Sequence, residues 1–172
     1  MDQDLTAKVL GFAAFSGVGK TSLLKQLIPL LREAGLRLGL VKLSHHNFEI
    51  DVPGKDSFEL RHAGAEQVML TSSHRWALIT ELEQPEEPDL DLMLGHMDLD
   101  RLDLILVEGF RHQAFAKVEI HRPSLGHPLL CNEDAQIIAV AADAPVQPAR
   151  QLPHLDLNRP AAISSFILDW MR

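Results

Sequence analysis

Residues 16–22, Ser16, Gly17, Val18, Gly19, Lys20, Thr21 and Ser22, combine two glycines, one lysine and three hydroxyls in seven positions. That combination suits the binding of a polyphosphate. Small residues let consecutive backbone N–H groups curl around phosphate oxygens. Lys20 reaches the β- and γ-phosphates as a point charge, and the Thr21 hydroxyl ligates Mg²⁺. An apolar run at 9–15 precedes the loop and a helical pattern follows it, which aims the positive end of a helix at the same anion. The arrangement is that of a P-loop, G-x-x-x-x-G-K-[ST], with Ala14 in place of the first glycine.

A bound triphosphate needs a second carboxylate-bearing element. The run LDLILVEG at 102–109 has the form of a Walker B strand and delivers Glu108 to the strand end. From there Glu108 meets Mg²⁺ directly or through a water, or orients the attacking water. The alternative is a buried strand closed by an ordinary turn glutamate. Asp103 lies at the opposite end of the strand and cannot serve the same site.

The polar stretch 44–61 carries His45, His46, Glu49, Asp51, Lys55, Asp56 and Arg61. It can be read as a transition-metal site, as a loop closing over phosphate and Mg²⁺, or as a solvated loop. Lys55 and Arg61 suit an anionic ligand, Asp51 suits Mg²⁺ or water, and Asp56 is expected to cap a helix at 57–63. Asp143 follows a late buried strand, where a carboxylate can accept hydrogen bonds from guanine N1 and N2, although the N-K-x-D pattern is absent. Candidate catalytic residues are therefore Lys20, Glu108 and Asp51. Candidate nucleotide ligands are Ser16, Gly17, Val18, Gly19, Lys20, Thr21, Ser22, Lys55 and Asp143, with Thr21 and Glu108 toward Mg²⁺.

The elements that must position these groups follow from periodicity. Strands are expected at 9–15, 36–43, 67–71, 76–82, 102–107, 117–121 (a weakly alternating edge strand) and 137–141. Helices are expected at 21–34, 57–63, 90–97 and 161–171, with Pro29 kinking the first and Gly35 ending it. The pattern predicts an α/β fold of the P-loop NTPase class, a mostly parallel sheet flanked by helices, with antiparallel strands at 76–82 and 117–121 extending the sheet or building a dimer interface. With no repeat or linker, residues 1–172 are expected to form a single domain.

Composition sets outer bounds. Sixteen basic against twenty-four acidic residues leave a net charge of −8, which argues against a nucleic-acid or anionic membrane surface. The single cysteine, Cys131, excludes an intrachain disulfide. The acidic start MDQD is unlike a signal peptide, and the expected location is cytoplasmic.

The segments AAFSGVGKTSLLKQLIP, VKLSHHNFEID, PGKDSFELRHAGA, SSHRWALITE and LDLILVEGF together resemble the MobB family of molybdopterin-guanine dinucleotide biosynthesis adaptor proteins, over nearly the whole chain. PGKDSFELRHAGA is far more specific than the P-loop. The resemblance implies a GTP-binding, weakly hydrolysing bacterial cytoplasmic homodimer with Mg²⁺. Its implied partner is the guanylyltransferase that attaches GMP to molybdopterin, with molybdopterin itself a further candidate ligand. His46, Asp51, Lys55 and Asp56 fall in the family's signature loop. Leu43 and Asn47 stand where the family often has His and Asp, and Ala14 is in keeping with it. The alternatives are a P-loop small-molecule kinase, for which Arg111, His112, Arg122 and His127 are candidate acceptor-side groups, and a nickel- or zinc-delivery GTPase using His45 and His46.

Overall fold

A computed structural model describes residues 7–44, 47–84 and 86–172. His45 and His46 therefore lie outside the described residues. The chain divides into two compact units, residues 1–43 with 89–172, and residues 44–88.

The larger unit is built on a six-stranded parallel sheet of order β2-β5-β1-β6-β7-β8. Its strands are β1 (Lys8–Ala13), β2 (Leu38–Lys42), β5 (Leu104–Glu108), β6 (Lys117–His121), β7 (Ile137–Ala142) and β8 (His154–Asp156). Helices α1 (Lys20–Glu33) and α4 (Pro160–Met171) pack on one face. Leu23, Leu24, Leu27 and Leu31 of α1, with Ile163 and Ile167 of α4, bury against Leu10, Phe12, Leu106, Val118 and Ala139. The other face packs Ile105, Val107 and Phe110 against Leu90 and Leu94 of α3 (Leu90–Gly95). Near-continuous apolar runs in β1, β5 and β7 follow from burial on both faces. Helix α1 continues through Pro29 and ends at Ala34, where Gly35 at φ 93° supplies the left-handed residue that releases the chain.

Strand 117–121 differs from expectation. It is parallel rather than antiparallel, and central rather than an edge, pairing with β1 and β7. All five of its residues are buried. Val118 and Ile120 enter the helix-side core, while Lys117, Glu119 and His121 occupy the intervening positions. These polar groups are tolerable because each is matched. The Lys117 ammonium donates to the Gln113 carbonyl at 2.6 Å and to Asp134 at 3.0 Å. Glu119 accepts from the backbone N–H groups of Leu130 and Cys131 at 2.9 and 2.8 Å. His121 Nδ1 lies 3.7 Å from Glu119 Oε1. Strand β8 was not anticipated from the sequence.

The smaller unit holds α2 (Asp56–His62) and an antiparallel hairpin of β3 (Gln67–Thr71) and β4 (Trp76–Thr80). The hairpin is a separate two-stranded sheet and does not extend the parallel one. Asp56 does not cap α2. Lys55 occupies the N-cap with φ −92° and ψ 151°, and Asp56 is the first helical residue, where its charge still favours the helix dipole.

Candidate functional site

The loop between β1 and α1 leaves the carboxyl end of a central strand and turns into the helix at Gly19, whose φ of 106° requires glycine. Gly17 is also left-handed, at φ 79°, with open space where a Cβ would stand. Three carbonyls of this loop are held by the protein. Ala14 O accepts from Lys20 Nζ at 3.2 Å, Val18 O from Arg122 Nε at 2.9 Å, and Gly19 O from the Leu23 N–H at 3.0 Å. The amides are not. Leu23 is the first donor, and the N–H groups from Gly17 to Ser22 have no acceptor among the described residues. Ser16, Gly17, Thr21 and Ser22 are exposed, while Val18 is buried beneath as the anchor of the loop. Carbonyls tied back and six successive amides left open form an anion cradle at a helix N-terminus.

Glu108 ends β5, directly beside β1 and in register with Phe12. Its carboxylate is mostly covered and lies 3.6 Å from Lys42 Nζ at the end of β2. The chain then reverses through two left-handed residues, Gly109 at φ 102° and Phe110 at φ 53°. Phe110 is buried in the core on that face and holds this costly conformation in place. Glu108 and the Lys20–Thr21 pair thus follow the carboxyl ends of two adjacent strands, β5 and β1. Oxygen donors of a threonine and a carboxylate beside an amide cradle fit a phosphate-bound Mg²⁺.

Asp143 follows β7, two strands from β1, and connects to the loop through Arg122. Arg122, immediately after β6, donates Nη1 to Asp143 Oδ2 while its Nε holds Val18 O. The sequence offered Arg122 only as an acceptor-side group of a kinase, not as a contact of the loop backbone. Its contact with Val18 spans 104 residues.

In the smaller unit Asp51 is buried and Lys55 exposed. Arg61, expected to meet an anionic ligand, is instead surrounded by carboxylates. It donates to Asp51 at 2.8 Å and also to Glu49 and Glu81. The Arg61 guanidinium holds the Asp51 carboxyl below the usual carboxylate range, and Asp51, Glu81 and Glu49 raise Arg61 in turn. Among the described residues, no three His, Cys, Asp or Glu side chains cluster as a metal site. No helix there is long and apolar enough to cross a membrane.

A parallel sheet, a glycine loop with open amides, and a carboxylate on the adjacent strand define a P-loop α/β protein. The model of the family described as molybdopterin guanine dinucleotide synthesis protein B, MobB, matches residues 9–143. The chain belongs to that family. It is 48% identical over 165 residues, 95% of this chain and 93% of the relative, to the molybdopterin-guanine dinucleotide biosynthesis adapter protein of Escherichia coli K12. It is 40% identical over 163 residues to the protein of the same name from Haemophilus influenzae, covering 95% and 89% of the two chains. The crystal structure of a molybdopterin-guanine biosynthesis protein B superposes with a TM-score of 0.75 at 28% identity, covering 95% of this chain and 99% of that one. Bacillus subtilis MobB shares the fold, with a TM-score of 0.72 at 21% identity over 96% and 98% of the two chains.

Proposed function

We propose that this chain is a GTP-binding adapter in the synthesis of molybdopterin guanine dinucleotide, working with the guanylyltransferase that joins GMP to molybdopterin. The observation that carries the reading is the row of open amides from Gly17 to Ser22 over tied-back carbonyls. Such a loop is built for a polyphosphate, and the two relatives above are named as adapters of this pathway. Ser16 to Ser22 hold the phosphates, with Lys20 supplying the point charge. Thr21 and Glu108 hold Mg²⁺, which neutralises charge on the phosphates when bound. Asp143 accepts from the guanine edge.

Hydrolysis is slow in this reading. The arginine that touches the loop, Arg122, is already committed to Val18 O and Asp143 and is not free to stabilise developing charge. A guanylyltransferase partner supplies what is missing or uses the bound nucleotide directly. Asp51 and Lys55 act in ligand closure, and the protein works as a cytoplasmic homodimer. The exposed Met69, Leu70, Trp76 and Leu78 of the hairpin support self-association.

Calorimetric titration with GTP and ATP, with and without Mg²⁺, tests the nucleotide assignment. Light scattering tests the dimer, and co-purification tests the guanylyltransferase. Equal affinity for the two nucleotides, or none for either, would remove the GTP assignment. Net phosphoryl transfer to a small acceptor would replace the adapter with a kinase.

A further inference from the structure

The two ends of the Arg122 guanidinium carry an inference beyond phosphate and base binding taken separately. One end grips a peptide group of the P-loop, and the other grips the carboxylate assigned to the base. A trans peptide points its C=O and N–H in opposite directions. The carbonyl held by Arg122 Nε belongs to the Val18–Gly19 peptide, so the N–H turned to the other side is that of Gly19. Gly19 is the residue at φ 106° that starts α1, and its N–H is one of the open amides of the cradle. A charged donor on the carbonyl fixes the plane of that peptide and strengthens the dipole that its N–H presents.

At its other edge Arg122 occupies only Oδ2 of Asp143, and Oδ1 has no partner among the described residues. The pair is partly covered, with the two side chains 36% and 22% exposed. Arg122 Nη2 would stand 3.9 Å from a Cβ on Gly19, so the guanidinium also approaches the loop at Gly19. Its bond to the loop is to a carbonyl and uses none of the open amides. A lysine could make one of these contacts but not hold both groups at fixed angles.

We propose that Arg122 is a positioning residue that couples the guanine seat to the β-phosphate cradle. Filling the cradle fixes the Val18–Gly19 peptide and with it the guanidinium. The guanidinium then fixes Asp143, leaving Oδ1 directed at the base. Occupancy of one seat sharpens the other through a single rigid side chain. The inference rests on the reading of Asp143 as the base-recognising carboxylate.

The test compares guanine with hypoxanthine, which lacks the 2-amino donor, at two phosphate lengths. Competition binding gives the GDP-over-IDP preference and the GMP-over-IMP preference, and only the diphosphates fill the cradle. In the parent the first preference is expected to exceed the second by roughly five- to tenfold, the size of a typical coupling between groups that share one network. In Arg122→Lys and Arg122→Ala the two preferences are expected to converge, with millimolar ethylguanidinium restoring the difference in Arg122→Ala. A structural role alone would lower all four affinities together and leave the ratio intact. Parent-like coupling in both variants, or no coupling in the parent, overturns the proposal. Asp143→Ala separates the two failures. If it leaves GDP-over-IDP preference unchanged, the base assignment falls and the coupling with it. If it abolishes that preference while the Arg122 variants keep their coupling, only the role of Arg122 falls.

Discussion

Gly109→Ala tests whether the reversal after Glu108 is as constrained as it looks. The residue has φ 102°, and an added Cβ would lie 2.5 Å from the Leu43 Cβ and 3.5 Å from its Cα. Two costs follow. Placing an L-residue in left-handed backbone costs about 1–2 kcal/mol. Forcing a methyl into a filled space costs about 1–3 kcal/mol more. Their sum, roughly 2–5 kcal/mol, corresponds to a fall in Tm of about 4–20 °C for a chain of this size. The clash meets Cβ rather than the far end of Leu43, so trimming Leu43 to alanine gives no relief. Leu43→Gly does, and in that background the second substitution is expected to retain only the backbone cost. Thermal and urea unfolding followed by far-UV circular dichroism provide the four corners of the cycle, with phosphate release measured alongside to follow Glu108. A Gly109→Ala protein within about 0.5 kcal/mol of the parent would refute the argument. So would an unreduced cost in the Leu43→Gly background.

Lys20→Ala is expected to weaken triphosphate binding by about 1.5–3 kcal/mol, the range for a charged hydrogen bond, with the fold retained. Unchanged binding in calorimetry would remove the P-loop role. Glu108→Gln is expected to keep nucleotide binding and lose most Mg²⁺-dependent phosphate release, and a parent-like rate would return Glu108 to a turn residue. The Arg37 guanidinium, bonded to both oxygens of Asp103, pulls that carboxyl from its ordinary 3.8 down to about 2. A depressed folded value gives stability that is complete above about pH 4 and lost as pH falls toward 2. Asp103→Asn should therefore flatten the acid limb of the urea-midpoint profile in that window, and an identical limb would count against the pair. Burial raises the Cys131 thiol to about 11, so iodoacetamide at pH 8 is expected to label it only after unfolding. Labelling of the native protein at a free-thiol rate would contradict this.

The P-loop, α1 and the Glu108 strand were legible because each is specified by contiguous residues: an apolar run, turn glycines and a helical stripe. Strand β6 was misread because its polar half is satisfied by groups remote in sequence. Lys117 finds Asp134, and Glu119 finds the amides of Leu130 and Cys131. Alternation alone makes such a strand look half solvated when it is buried on both faces. Arg122 was legible only as an acceptor-side candidate, since its contacts with Val18 and Asp143 depend on the adjacency of β6 to β1 and β7, a property of strand order and not of local pattern. Arg61 shows the converse: a basic residue near Lys55 suggested an anionic ligand, while its partners were Glu49, Asp51 and Glu81 of the same unit. Asp56 was displaced by one position, a common margin at helix starts.

Among the described residues of 44–88 the only buried one is Asp51, and the apolar side chains of Phe48, Leu60, Met69 and Trp76 are largely exposed. Hairpins with so little covered surface separate from solvent only weakly. In a protomer free of its partner, amide hydrogens of β3 and β4 should therefore exchange through small local openings, on a clock independent of the one that governs β1, β5 and β7. The two units then melt as distinct foldons, and denaturant would raise exchange in the parallel sheet steeply while leaving exchange in the hairpin nearly unchanged.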